Sequence, residues 1–209
     1  MSIEAVSNEE IVFSEIPKEE FELKPSDKFF SREFTVLEKN WPQAVISTNR
    51  YFHGFNLFDW RTHYTLTDAN TGKMIAEAVK NYGILSFQGM LNGSFLGLFK
   101  GATLADFDVY DAEGAYVGFI DGNVFTTSKA YFQFKDHEGT TKSYAKEEES
   151  QIFIRDQTSN GVVGYMRREI IPQIKDSWMM KIKDGVDQRV ALIFAAFIVD
   201  NQAYFLKDN

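Results

Sequence analysis

Ten consecutive apolar residues, Val190-Ala191-Leu192-Ile193-Phe194-Ala195-Ala196-Phe197-Ile198-Val199, lie between Asp187 and Asp200 in a chain that otherwise reads as β-hairpins. A helix that is apolar on every face has to be surrounded, and this run falls well below the roughly 20 residues that span a bilayer. The chain's own strands are the natural surroundings, which predicts a β-barrel or wrapped sheet with a helix down its middle. A strand buried on both faces would also show as continuous hydrophobicity, but strands usually run about 4 to 8 residues, and Ala191, Ala195 and Ala196 prefer a helix. A membrane anchor would need the apolar stretch to continue, yet it stops at Asp200-Asn201-Gln202. Asp187 can cap the helix N-terminus, where its carboxylate accepts from free backbone donors and meets the positive end of the dipole.

With 209 residues, 44% of them hydrophobic, the chain can bury a sizeable core in one domain. Twenty Phe, nine Tyr and only four Pro suit half-buried strands better than a helical bundle, so a mainly β fold is expected. The absence of cysteine excludes disulfides, thiolate catalysis and zinc-thiolate sites. Met1-Ser2-Ile3-Glu4 lacks the basic-then-apolar pattern of a secretory signal, which places the protein in the cytosol as an expectation. Formal charge is −8, and residues 1–28 hold eight acidic and three basic side chains. This segment reads as an acidic solvated tail or as a leading strand through Ile11-Val12-Phe13, ahead of one domain over residues 29–209.

One unit recurs in that domain: an aromatic-rich strand, a polar turn with Asp and Gly, and a returning strand. Four copies align, Tyr64–Asp68 turning through Gly72 into Met74–Ala76, Phe107–Asp111 through Gly114 into Tyr116–Gly118, Tyr131–Asp136 at Gly139, and Ile152–Asp156 through Asn160-Gly161 into Val162–Gly164. Each glycine can take the positive φ of a tight hairpin, while Asp or Asn bonds its own backbone. Phe107, Val109, Tyr116 and Phe119 alternate with Asp106, Asp108, Asp111 and Asp121, which predicts a packed face and a wet one. Closing such a sheet removes its exposed edges, and a central helix would fill the lumen.

The stretch from Arg189 through the apolar run to Asp200, followed by Tyr204-Phe205, resembles the C-terminal helix of phospholipid scramblases, and is similar to the buried helix of tubby C-terminal domains and plant LURP-one-related proteins. The resemblance implies a closed antiparallel barrel of about twelve strands around a hydrophobic C-terminal helix, with Val190, Leu192, Ile193, Phe194, Phe197 and Ile198 as its core residues. It implies a non-enzymatic module associated with phospholipid or a membrane, partnered by an anionic phospholipid surface or by a protein. Scramblases carry a Pro-rich tail, palmitoylated cysteines and an acidic calcium segment before the helix; this chain has no cysteine and only Asp184 and Asp187 there. Tubby domains bind phosphoinositide through a basic pocket. The nearest basic cluster is Arg167, Arg168, Lys175, Lys181 and Lys183, of which Arg167, Arg168, Lys181 and Lys183 form the candidate headgroup patch, although interleaved Glu169, Asp176 and Asp184 also fit an ordinary solvated strand face.

No other chemistry emerges. His53, His63 and His137 lack metal-ligand spacing, and Gly93-Ser94-Phe95-Leu96-Gly97 misses the nucleophile-elbow pattern by one residue. Asp106, Asp108 and Asp111 depart from an EF-hand loop because Tyr110 stands at the fifth position. Gly89, Gly93, Gly97 and Gly101 suit turns and bends better than a helix, in which each would cost about 1 kcal/mol relative to Ala. A pI of about 5.0 without a Lys/Arg stripe disfavours nucleic acid. No catalytic residue, cofactor or metal is assigned. A soluble protein-interaction scaffold and a small-ligand-binding protein or enzyme using the barrel mouth stand as alternatives to the lipid-associated module.

Overall fold

The hairpin signals resolve, in a computed structural model, into twelve strands that close on themselves. The structure describes residues 19–27, 32–48, 63–80, 106–122, 131–148, 151–169, 177–183 and 186–200. The strands are β1 (Glu19–Asp27), β2 (Arg32–Glu38), β3 (Trp41–Thr48), β4 (His63–Asp68), β5 (Met74–Lys80), β6 (Phe107–Asp111), β7 (Tyr116–Gly122), β8 (Tyr131–Asp136), β9 (Thr141–Glu148), β10 (Gln151–Asp156), β11 (Val162–Glu169) and β12 (Ser177–Ile182). Each pairs antiparallel with its sequence neighbours, and β1 pairs with β12 to close the barrel. Helix α1 (Gln188–Asp200) follows.

β1 lies within the segment 1–28, read as a solvated tail or a leading strand ahead of the domain. Glu19–Asp27 is bonded to β12 on one edge and β2 on the other, so these nine residues of the acidic segment are a barrel strand rather than a solvated tail. Phe21 and Leu23, buried on its inner face, are the apolar residues that hold it there. The leading strand expected through Ile11-Val12-Phe13 lies outside the described residues, as do Gly89, Gly93, Gly97 and Gly101.

All four expected hairpins form, and their geometry falls into two pairs. Gly114 and Gly139 hold φ of +82° and +80° in the shorter turns after Asp111 and Asp136, and Gly72 holds +67° after Asp68. In the turn after Asp156 the left-handed residue is Asn160 rather than Gly161, because Asn also tolerates that conformation through local side-chain bonding. A fifth hairpin, β2 to β3, turns on Lys39 and Asn40 at φ of 50° and 68°, without any glycine to mark it in the sequence.

Every one of these five hairpins carries a β-bulge at the same place. The register slips between Val36/Leu37, Leu66/Thr67, Val109/Tyr110, Phe134/Lys135 and Ile154/Arg155, which leaves Gln43, Ile75, Val117, Lys142 and Val163 as the extra residues on the returning strands. A bulge adds local twist and re-aims its side chain, and Ile75, Val117 and Val163 pack against the core from the rim. The same shift corrects one expectation. Phe107 and Val109 face the core, but Tyr116 is exposed and Phe119 stands half-buried on the outer face beneath Lys135, leaving Gly118 and Ile120 as the inward pair.

Inward positions alternate in size around the ring. Tyr64 and Leu66, Phe107 and Val109, Phe132 and Phe134, and Ile152 and Ile154 come from the outgoing strands; the returning strands supply Ala76 and Ala78, Gly118, Ala145 and Gly164 alongside the larger Ile46, Ile120 and Met166. The small residues leave room for a helix. From Ala191 to Asp200 every residue of α1 is buried, and it contacts β1, β4, β5, β7 and β12, strands spread around the closed ring, so its place is the lumen. Leu192, Ile193, Phe194, Phe197 and Ile198 are buried as expected of a central helix, whereas Val190, in its first turn, is only partly buried at the rim.

Close approach explains Gly118. A Cβ built there would lie 2.4 Å from the backbone carbonyl oxygen of Lys135 on the neighbouring strand. We therefore expect Gly118→Ala to force β7 and β8 apart and destabilise the fold by about 1–3 kcal/mol in urea denaturation. Gly164→Ala, whose nearest neighbour is the movable Ile154 side chain at 3.0 Å, should cost less. Equal costs would show that backbone contact is not what makes glycine necessary on β7.

Candidate functional site

The repeat apolar-x-apolar-x-Asp places an aspartate on the inward-facing parity at the end of four outgoing strands, β4, β6, β8 and β10. In each register the aspartate faces a small residue, Asp68 opposite Ala44, Asp111 opposite Ala76, Asp136 opposite Gly118 and Asp156 opposite Ser143. Four carboxylates thus gather at one end of the barrel, the end where α1 begins. Asp111, grouped by alternation with the water-facing Asp106, Asp108 and Asp121, instead shares the face of Phe107 and Val109, and period two likewise puts Asp68, Asp136 and Asp156 on the same face as the core residues two and four positions earlier.

Each carboxylate organises its own turn. Asp111 Oδ1 accepts from the amides of Glu113 and Ala115 at 3.1 and 2.7 Å, and Asp136 Oδ1 from Glu138 and Thr140 at 3.0 and 2.9 Å. Asp68 Oδ1 accepts from the Thr71 amide and hydroxyl at 2.6 and 2.8 Å; Asp156 Oδ1 does the same with Ser159 at 2.7 and 2.8 Å. The Thr71 amide holds the Asp68 carboxyl below the usual carboxylate range, and the Ser159 amide does so for Asp156. For Asp136 the main cause is Lys142, whose ammonium lies 2.9 Å from Oδ2.

The helix is oriented by the same charges. Asp187 caps it as expected, its Oδ1 accepting from the Arg189 amide at 2.9 Å and its backbone oxygen from the Ala191 amide at 3.0 Å. Burial opposes ionisation of Asp187, but the Arg189 guanidinium, 2.7 Å from Oδ2, overcomes it and keeps the carboxyl low. The positive end of the helix dipole therefore meets the Asp187 carboxylate, beside the cavity that Asp136 and Asp156 edge. At the opposite end Arg32 Nη1 donates to Asp200 Oδ1 at 3.0 Å and to the Asp200 carbonyl at 3.5 Å, so a cation meets the negative end. Tyr64 completes this buried cluster by donating to Asp200 Oδ2 at 3.0 Å.

A cavity of about 370 Å³ opens beside the start of α1. Its walls are Val117, Phe134, Ile154, Val163, Val190 and Ala191, and the polar side chains at its edge are Lys135, Asp136, Lys142, Ser143, Asp156 and Asp187. Three of the bulged residues, Val117, Lys142 and Val163, line it. Concave, mostly apolar space with a few converging polar groups is the usual form of a small-molecule site. Farther out on the same rim stand three exposed apolar side chains, Trp41, Met74 and Tyr116, at the starts of β3, β5 and β7.

The four candidate headgroup cations do not share one surface. Arg167 and Lys181 stand on the outer face of β11 and β12, where Lys181 is 3.0 Å from Glu20. Arg168 pairs with buried Trp178 at an inward register position near the far end of the barrel, and Lys183 is exposed beyond β12 at the hairpin end. Lys175, Asp176 and Asp184 lie outside the described residues, as does His53. His63 is 2.8 Å from Glu77, and His137 is an exposed turn residue. Asp106 Oδ1 accepts from the Gly122 amide at 3.1 Å. Among the described residues no three His, Asp or Glu converge as metal ligands.

The sequence offered the barrel mouth as an alternative site without naming its residues, and the Arg32–Asp200–Tyr64 cluster was missing from that reading altogether. Signals for them exist: the i, i+2, i+4 spacing that ends each outgoing strand in Asp, and a carboxylate closing an otherwise apolar helix, which must find partners if buried. In comparisons with known proteins, the chain matches no family model, no curated protein and no solved structure.

Proposed function

We propose that the protein is a non-enzymatic binding module that takes its target at the hairpin end of the barrel. The observation that carries this is the helix core: α1 is buried from Ala191 to Asp200, which leaves little interior space for a carried ligand, while a cavity among the described residues opens at the mouth. Among the described residues no histidine lines that cavity, and Asp136 and Asp187 are engaged by Lys142 and Arg189, an arrangement suited to holding a ligand rather than to proton transfer.

Association with a membrane surface is the second reading, supported by the resemblance to scramblases, LURP-one-related proteins and tubby domains and by exposed Trp41, Met74 and Tyr116 on the rim. No helix among the described residues is long and apolar enough to cross a membrane. The dispersed cations and the acidic hairpin end disfavour an anionic surface as the target.

A neutral fluorescent probe, N-phenyl-1-naphthylamine, tests the first reading. Its emission should rise and shift to the blue with the wild-type protein, and Val163→Phe, which fills the mouth, should abolish most of that rise. Undiminished fluorescence with Val163→Phe would remove the mouth as the site. Cosedimentation with neutral, phosphatidylserine and phosphoinositide vesicles tests the second. Pelleting that persists at physiological salt and depends on headgroup would replace the mouth-ligand reading with a lipid one.

A further inference from the structure

The charges around the mouth cavity are unevenly answered. Asp136 has Lys142 at 2.9 Å, Asp187 has Arg189 at 2.7 Å, and the other lining cation, Lys135, lies 2.6 Å from Asp121. Both lining lysines are thus neutralised by carboxylates of their own. Among the described residues, Asp156 is the lining carboxylate with no basic partner. Its Oδ1 is committed to the turn through the amides of Thr158 and Ser159 and the Ser159 hydroxyl, which leaves Oδ2 open. Directly across the strand pair stands Ser143, whose hydroxyl can donate or accept. Both line the cavity, over apolar walls made by Ile154, Val163, Val117 and Val190.

We propose that the mouth cavity selects a small molecule carrying a primary ammonium on an apolar stem. The ammonium donates to Asp156 Oδ2 and to Ser143 Oγ, and the stem lies against the valine and isoleucine walls. An anionic ligand would face the unneutralised Asp156, which disfavours it. A neutral ligand gains the walls but not the charge. This assignment rests on the mouth being the ligand site, and its ligand class can fail while that reading stands.

Three probes of one shape separate the possibilities: phenethylammonium, 2-phenylethanol and 3-phenylpropionate, each titrated into protein labelled at Ile and Val methyls. Phenethylammonium should shift the methyls of Val117, Ile154, Val163 and Val190 saturably. Because Asp156 is reached by solvent, its dissociation constant should be only about threefold below that of the alcohol, with the propionate weakest. Asp156→Asn keeps the Oδ1 acceptor that builds the turn, and should erase the preference of ammonium over alcohol while methyls remote from the mouth hold their positions. Equal binding of ammonium and alcohol, or tighter binding of the propionate, would overturn the ligand class and leave the mouth as a site. Unmoved lining methyls with all three probes would overturn both.

Discussion

Truncating Phe194 to alanine should lower the free energy of unfolding by about 3–5 kcal/mol, the range for a large buried aromatic whose surroundings cannot collapse. Phe194 is fully buried in the middle of α1. Its ring meets Phe132 and Phe134 edge-on, both with centroids 5.0 Å away and interplanar angles of 68° and 86°. The helix is held by strands on several sides, so it cannot shift toward one wall to refill the space without opening a gap at another. In urea the midpoint should fall with the slope unchanged, since the surface exposed on unfolding stays nearly the same. Val190→Ala, at the half-buried first turn, serves as the control and should cost about 1 kcal/mol. If Phe194→Ala costs no more than Val190→Ala, the helix is not enclosed.

The second large effect is expected at the other end of the helix. Asp200 is a carboxylate whose side chain is 1% exposed, held by Arg32 and Tyr64. Removing the cation leaves a buried negative charge, a change that typically costs about 3–5 kcal/mol. Arg32 is itself 19% exposed, so water can partly replace it, and Arg32→Met should fall near about 3 kcal/mol. Combining it with Asp200→Leu removes the stranded charge, and the double variant should recover at least about 1 kcal/mol relative to Arg32→Met alone. Additive losses in this double-mutant cycle would mean that the pair is not coupled and that Arg32 acts through packing over Phe34, whose ring centroid lies 5.6 Å from the guanidinium carbon.

Both predictions concern α1, the element that shows most plainly in the sequence. Ten apolar residues with no polar face leave a helix only one place to go in a chain of hairpins, and its capping Asp187 and its buried Leu192, Phe194, Ala195 and Phe197 follow from that. The four Asp-Gly and Asn-Gly hairpins were equally legible, because a turn needing positive φ restricts which residues can occupy it. The Lys39-Asn40 hairpin was not legible, since neither Gly nor Pro marks it. β1 was misplaced for a related reason: charged residues at Glu19, Glu20, Glu22 and Lys24 conceal the alternation of Phe21 and Leu23, and only pairing with β12 and β2 shows which side is inside.

The mouth illustrates a different limit. Asp68, Asp111, Asp136 and Asp156 were read correctly as turn residues, yet the same four side chains end up around the start of one helix. Their turns are encoded locally, within five residues of each carboxylate. Their convergence depends on ring closure, on the five bulges and on which way α1 enters. The four basic residues of the candidate headgroup patch show the converse, since neighbours in sequence such as Arg167 and Arg168 are sent to opposite faces of one strand.

The chain by itself therefore determined the elements that rest on short-range physics: apolar periodicity, turn stereochemistry, the helix cap and the demand that a wholly apolar helix be covered. Tertiary structure alone decided the register of β1, the partner of Asp200 across a separation of 168 residues, the gathering of the aspartates at one end and the cavity edged by two of them, Asp136 and Asp156. The physical reason is range. Backbone conformation responds to residues a few positions away, whereas a charge pair or a cavity wall exists only after closure of the sheet brings distant strands to the same end of the barrel.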